Sequence, residues 1–272
     1  MTVARIDARF AKLKAENKAA FVSYIMAGDP DLETSFEVLK GLAEAGADII
    51  ELGFPFSDPM AEGPIIQLAA ERSLKNGTKI ADVFAMASRF RESDVETPLI
   101  LMGYMNPVEN LGYPAFAQAC AKAGIDGVII VDCPPEEAEG LTDALDAADV
   151  ALIRLITPTS DDKRLKTLVK RTKGFVYYVS VAGVTGVKEA DADGIRDAVA
   201  HVREMSGLPV VVGFGIKTPE RAADIARIAD GSVVGSVLVD AIAKSLPENS
   251  PVRTKVLETA GLLAQAVHNA RS

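Results

Sequence analysis

Short apolar runs rich in β-branched residues alternate along this chain with longer, alanine-rich segments whose apolar positions recur at helical spacing. The runs predict strands over residues 21–26, 48–53, 99–103, 128–132, 151–156, 175–180, 210–214 and 232–236. Helices are predicted between them, clearly over 34–45, 161–170 and 219–229, where Pro219 takes a first helical position behind a Thr218 cap. Eight strands separated by helices predict an α/β fold, a single (β/α)8 TIM barrel spanning residues 1–272 as one domain. An open doubly wound sheet shares the local signals. The first strand, however, is followed by no Gly-x-Gly-x-x-Gly turn, no Walker loop occurs, and the strand count favours closure.

A weak internal repeat supports this reading. Ala45-Gly46-Ala47-Asp48, Ala123-Gly124-Ile125-Asp126 and Ala229-Asp230-Gly231 each end a helix with small or turn-forming residues and lead into an apolar strand. Two features exceed a minimal barrel. Residues 2–16 predict an extra amphipathic N-terminal helix able to cover the barrel's open bottom, and 64–76 and 80–90 predict two helices, split at Asn76-Gly77, between the second and third strands. Residues 247–251 read as a loop before a last helix over 252–269.

Composition narrows the function. The chain has 272 residues, 49% of them hydrophobic, and a formal net charge of −9. Such a chain supports a sizeable core and is a poor electrostatic partner for nucleic acid or an anionic membrane surface. No window reaches the roughly 18 apolar residues of a membrane span, and the charged residues from Arg5 to Glu16 do not suit a signal-peptide core. A soluble cytoplasmic protein is expected. Cys120 and Cys133 are the only cysteines, too few for a disulfide scaffold.

Barrel enzymes carry their chemistry at the C-terminal ends of the strands. In the second strand the two-residue period puts Ile50 and Leu52 on one face and Ile49, Glu51 and Gly53 on the other. With the first pair under the helices, Glu51 points into the mouth, where lost hydration makes a neutral, proton-donating carboxyl accessible; pairing with a cation is the competing structural role. The following Pro- and Gly-rich loop offers Asp58 and Glu62 as a second acid, and Asp58 before Pro59 equally suits a turn. Gly213-Phe214-Gly215-Ile216 and Val234-Gly235-Ser236 close the last two strands ahead of helix starts, the place where barrels bind phosphate through backbone amides. Ala182-Gly183-Val184-Thr185-Gly186-Val187 has the glycines of a closing lid, with Thr185 offering a hydroxyl, and equally suits an ordinary loop.

These residues together resemble the tryptophan synthase alpha subunit family. Glu51-Leu52-Gly53-x-Pro55-Phe56-Ser57-Asp58-Pro59-x-Ala61-x-Gly63-Pro64 matches its strand 2 signature, and Gly28-Asp29-Pro30, Gly183-Val184-Thr185-Gly186, Gly213-Phe214-Gly215-Ile216 and Gly235-Ser236 follow in family order. The resemblance implies cleavage of indole-3-glycerol phosphate into indole and glyceraldehyde 3-phosphate with no metal or cofactor. It also implies transfer of the indole to a pyridoxal-phosphate beta subunit in an alpha2-beta2 assembly. By the same resemblance Glu51 is the acid and base at the bond that breaks. Glu62 stands where the family has an aspartate, its carboxylate displaced by about 1.5 Å through the extra methylene. Tyr24, Ile66, Tyr104, Tyr177 and Phe214 are implied as the indole slot, with Tyr24 at a position of phenylalanine in some relatives. Gly186, Gly215, Gly235 and Ser236 are implied at the phosphate. The scaffold alone also accommodates another sugar-phosphate isomerase or aldolase, or a non-catalytic subunit that activates a partner; the predicted strands hold no lysine for a Schiff-base aldolase. Asp132, at the end of the fourth strand, suits orienting a group of the site and equally suits a structural hydrogen bond, while His201 and His268 fall in helical, surface patterns.

Overall fold

The computed structural model describes residues 3–179, 192–213, 215–246 and 251–272. The chain opens with α1 (Val3–Ala15), β1 (Ala20–Met26), α2 (Leu32–Glu44) and β2 (Ile49–Gly53). Two helices, α3 (Pro64–Lys75) and α4 (Ile80–Arg91), precede β3 (Leu99–Gly103); two more, α5 (Met105–Leu111) and α6 (Tyr113–Ala123), precede β4 (Gly127–Ile130). Then come α7 (Glu139–Ala147), β5 (Ala151–Leu152), β6 (Leu155–Ile156), α8 (Asp162–Val169), β7 (Val176–Val179) and α9 (Ala192–Ser206). The chain finishes with β8 (Val210–Gly213), α10 (Pro219–Ile228), β9 (Gly231–Val234), α11 (Ser236–Ser245) and α12 (Val252–His268). No helix among the described residues is long and apolar enough to cross a membrane.

All strand pairs are parallel, in the order β5-β4-β3-β2-β1-β9-β8-β7-β6. The two ends of that order are halves of the predicted fifth strand, separated by Ile153 and Arg154. The Ile153 N–H donates to Val128 O at 2.9 Å, and Arg154 O accepts from the Tyr177 N–H at 3.1 Å. This single extended segment therefore bonds to both neighbours, and the ring closes as a barrel.

The two-residue alternation divides the core into two layers. Phe21, Ile25, Ile50, Leu52, Leu99, Leu101, Val210 and Val212 pack outward under the helices. Val22, Ile49, Ile100, Ile129, Ile153, Phe175, Val211 and Val233 fill the barrel interior. Ile6, Phe10 and Leu13 of α1 join this inner layer, with the Phe10 and Phe175 rings 5.8 Å apart. The extra helix plugs the barrel's N-terminal end.

The repeated helix-to-strand junction has a common geometry. The Asp48, Asp126 and Asp230 N–H groups donate to Phe21, Leu99 and Val210 carbonyls on the neighbouring strand. In return, each aspartate side chain accepts the backbone N–H of that same residue, at 2.9, 2.8 and 2.8 Å. Arginines complete each pair. Arg9 reaches Asp48, Arg5 and Arg91 reach the fully buried Asp126, and Arg203 reaches Asp230. His268 also meets Asp48, at 2.7 Å, so it is half-buried in this network rather than a surface residue; His201 is exposed beside Asp162.

Two expected boundaries shift. Ser236 is the first residue of α11 rather than the end of a strand, with Gly235 as its N-cap. Asp132 lies beyond β4, where its carboxylate accepts the Met105 N–H at 2.7 Å and fixes the start of α5. Residues 247–250 of the expected loop at 247–251 lie outside the described residues, as do the expected lid at 182–187, with Thr185 and Gly186, and Phe214.

Candidate active site

A cavity of about 290 Å³ opens at the C-terminal end of the barrel. Its walls come from Tyr24 on β1, Glu51 on β2, Met102 on β3, Tyr177 on β7 and Val233 on β9. Gly63, Pro64, Ile65 and Ile66 at the start of α3, with Glu62 before them, form one side. Gly215, Ile216 and Lys217 after β8, and Gly235 and Ser236 at the start of α11, form another.

Glu51 follows from strand geometry. Ile49 belongs to the inner layer, so the residue two positions on faces inward as well. Its side chain is 1% exposed, and Oε1 has no hydrogen-bond partner. Burial, aided by the nearby charge of Glu62, pushes its pKa up to about 8. A buried carboxyl oxygen with no protein partner is the feature that a polar ligand group would satisfy.

Glu62 reaches the cavity through a folded loop. The Met60 N–H donates to Asp58 O at 2.8 Å, and the Glu62 N–H donates to Pro59 O at 3.2 Å. Gln67 on α3 donates to Glu62 O at 2.8 Å, and the Tyr104 hydroxyl accepts the Ala61 N–H at 3.0 Å. Phe56 stacks on Tyr104 with ring centroids 5.2 Å apart. The loop is thus tied at both flanks of Glu62. Burial raises the Glu62 pKa to about 7. Asp58, the other candidate acid, is exposed and accepts the Ser57 hydroxyl at 2.6 Å, so it serves the turn.

The two cavity tyrosines depend on glycines in the adjacent strands. A Cβ at Gly53 would overlap the Tyr24 hydroxyl, and one at Gly213 would overlap that of Tyr177. Both phenols are buried, and burial together with the two glutamates drives their pKa values far up, so they stay neutral donors. At the other side no side chain caps α11, leaving its N-terminal amides available to an anion. Gly215 has φ of 75°, a left-handed turn with open space where a side chain would stand.

The structure therefore gathers Glu51, Glu62, Tyr24, Ile66, Tyr177, Gly215, Gly235 and Ser236 around one cavity. Tyr104 stands behind the Glu62 loop as its support instead of in the cavity wall. Sequence reasoning missed Met102 and Val233, although the inward alternation of their strands contains the signal. Lys217 carried no periodic signal at all. Cys120 is helical core, and Cys133 is buried, its neighbouring carbonyl side held by Arg154, which donates to Cys133 O at 2.7 Å.

The chain can now be set beside known proteins. Residues 10–268 match the family model for the tryptophan synthase alpha chain. The tryptophan synthase alpha chain of Caulobacter sp. (strain K31) is 64% identical over 271 residues, covering 100% of this chain and 98% of that protein. That of Phenylobacterium zucineum (strain HLK1) is 63% identical over the same 271 residues and the same shares. Among solved structures, tryptophan synthase subunit alpha from Legionella pneumophila str. Paris superposes with a TM-score of 0.90 at 40% identity, over 97% of this chain and 98% of that chain. Tryptophan synthase from M. tuberculosis in its aminoacrylate-bound form gives a TM-score of 0.86 at 34% identity, over 97% and 99%. Matched along nearly its whole length in both sequence and backbone, the chain belongs to the tryptophan synthase alpha chain family.

Proposed function

We propose that this cavity cleaves indole-3-glycerol phosphate, the family's reaction in tryptophan biosynthesis, with Glu51 and Glu62 as its catalytic pair. The bond to be broken joins indole C3 to the first carbon of the glycerol chain. Cleavage requires a proton on C3 and removal of the proton from the adjacent hydroxyl, whose oxygen becomes the aldehyde carbonyl of glyceraldehyde 3-phosphate. Positive charge develops on the ring while C3 is protonated, so the ring N–H needs an acceptor.

The carboxyl groups divide this work by their environments. Glu51, with a pKa of about 8, is mostly neutral near pH 7 and donates to C3; once ionised it takes the hydroxyl proton. Glu62, at about 7, is partly ionised in the same range and accepts from the ring nitrogen. Tyr24, Ile66 and Tyr177 flank the indole, and Gly215, Gly235 and Ser236 receive the phosphate on backbone amides. Phe214, Thr185 and Gly186 are assigned to the same pocket by the resemblance alone. No cofactor or metal has a part in this scheme.

A beta subunit is the partner of this family, and the M. tuberculosis relative is described as tryptophan synthase in an aminoacrylate-bound form. The finer proposal is an alpha2-beta2 assembly in which a pyridoxal-phosphate beta subunit docks at the mouth and receives the indole. A cytoplasmic location is part of the same proposal, because the substrate is a phosphate ester that does not cross membranes unaided.

The observation that carries the reading is the unpartnered, buried Glu51 carboxyl at the floor of a cavity with uncapped amides opposite. The test is indole release from indole-3-glycerol phosphate, with and without a beta subunit. Wild-type chain is expected to release indole and Glu51→Gln to release none while remaining folded. Near-normal turnover by the variant rejects the assignment.

A further inference from the structure

We infer that Lys217 binds the phosphate end of the substrate and sets the cavity's preference for a doubly charged tail, an inference that rests on the reading of the cavity given above. Lys217 follows Gly215 by two residues and immediately precedes Thr218, the N-cap of α10. It lines the same cavity as Gly235 and Ser236. Among the described residues lining that cavity it is the only basic one, and the other described groups that readily ionise there are the acids Glu51 and Glu62. Lys217 is exposed and engaged in no ion pair among the described residues.

The charge balance gives this lysine its function. A phosphate monoester brings nearly two negative charges into a cavity that already holds two carboxyls, on a chain of net charge −9. The uncapped end of α11 offers the equivalent of roughly half a positive charge. A lysine supplies one full charge on a flexible stem, suited to a phosphate as a point charge. Amides alone fix where the phosphate sits; Lys217 rewards its charge.

The test compares Lys217→Met, which keeps the stem, with Lys217→Arg, which keeps the charge. Lys217→Met is expected to raise KM for indole-3-glycerol phosphate about tenfold with kcat within about twofold, as loss of one ion contact predicts. Affinity for glycerol 3-phosphate, measured by calorimetry, falls by the same factor, while affinity for uncharged indole is unchanged. The salt dependence of KM flattens, and Lys217→Arg restores most of the loss. Equal glycerol 3-phosphate affinity in wild type and Lys217→Met overturns the proposal, whatever the turnover. A wild-type chain that binds glycerol 3-phosphate more tightly than the variant yet releases no indole supports the lysine and rejects the reaction assigned above.

Discussion

The phenol oxygen of Tyr104 accepts the backbone N–H of Ala61, 3.0 Å away and 43 residues apart in sequence, next to Glu62. Asp132 reinforces the arrangement by holding the Met105 N–H at 2.7 Å, so the turn after β4 steadies the residue beside Tyr104. This geometry predicts that Tyr104 acts through the loop rather than on the substrate. Tyr104→Phe keeps the stack with Phe56 and removes the acceptor, at a cost of about 1 kcal/mol. We expect kcat for indole release to fall about 5–10-fold, with the fold intact by circular dichroism. An unchanged kcat removes Tyr104 from the positioning of Glu62.

The pH profile follows from the two glutamates. In the proposed division of roles Glu62 is ionised and Glu51 protonated, so kcat/KM should rise through about pH 7 and fall above about pH 8. Glu62→Gln should lower the rate and abolish the acidic limb. A wild-type profile flat from pH 6 to 9, in about unit steps, contradicts this division of roles.

Stability has a pH dependence of its own. Glu51 ionises at its ordinary 4.5 when unfolded and at about 8 when folded, so between these values the folded chain holds the extra proton. Its contribution is full below the unfolded value and is lost as pH rises through the folded one. Glu51→Gln stays neutral throughout. At pH 9 it should exceed wild type in urea-unfolding stability by about 1–3 kcal/mol. A variant no more stable than wild type at that pH refutes the idea that the buried charge is costly.

Gly213→Ala tests the close approach of strand and phenol. The added methyl overlaps the Tyr177 hydroxyl, and the ring must move into the cavity or the strand must shift. A destabilisation of about 1–3 kcal/mol is expected, together with a raised KM. Normal stability and KM would show that the ring has another place to go.

Asp126→Ala tests the junction network. Its removal strands two arginines, Arg5 and Arg91, and leaves the Leu99 N–H unpaired in the core. A loss of about 3–5 kcal/mol is expected in urea unfolding, far more than for truncating the exposed Arg227–Asp224 pair.

How much of this was legible in the sequence depends on periodicity. Glu51 sits in a strand, and a fixed two-residue alternation with Ile49 gave its direction. The Asp48, Asp126 and Asp230 repeat was visible as letters, and its reason emerged only when each aspartate met the start of a neighbouring strand. Glu62 and Asp58 share an aperiodic loop, so nothing local distinguished them; contacts from Gln67 and Tyr104 decide which faces the cavity. Periodicity alone extends the last strand to Ser236, because the apolar run continues past the point where Gly235 turns the backbone into a helix. Lys217 resembled any exposed lysine until the fold brought the loop after β8 beside the start of α11.

The plug at the barrel's N-terminal end bears on the order of assembly. Helix α1 is synthesised before every surface it lands on: Arg9 waits for Asp48, Arg5 for Asp126, and Phe10 for Phe175. Its apolar stripe has its full native berth only once the strand carrying Phe175 is in place, so completing this plug requires contacts across most of the chain.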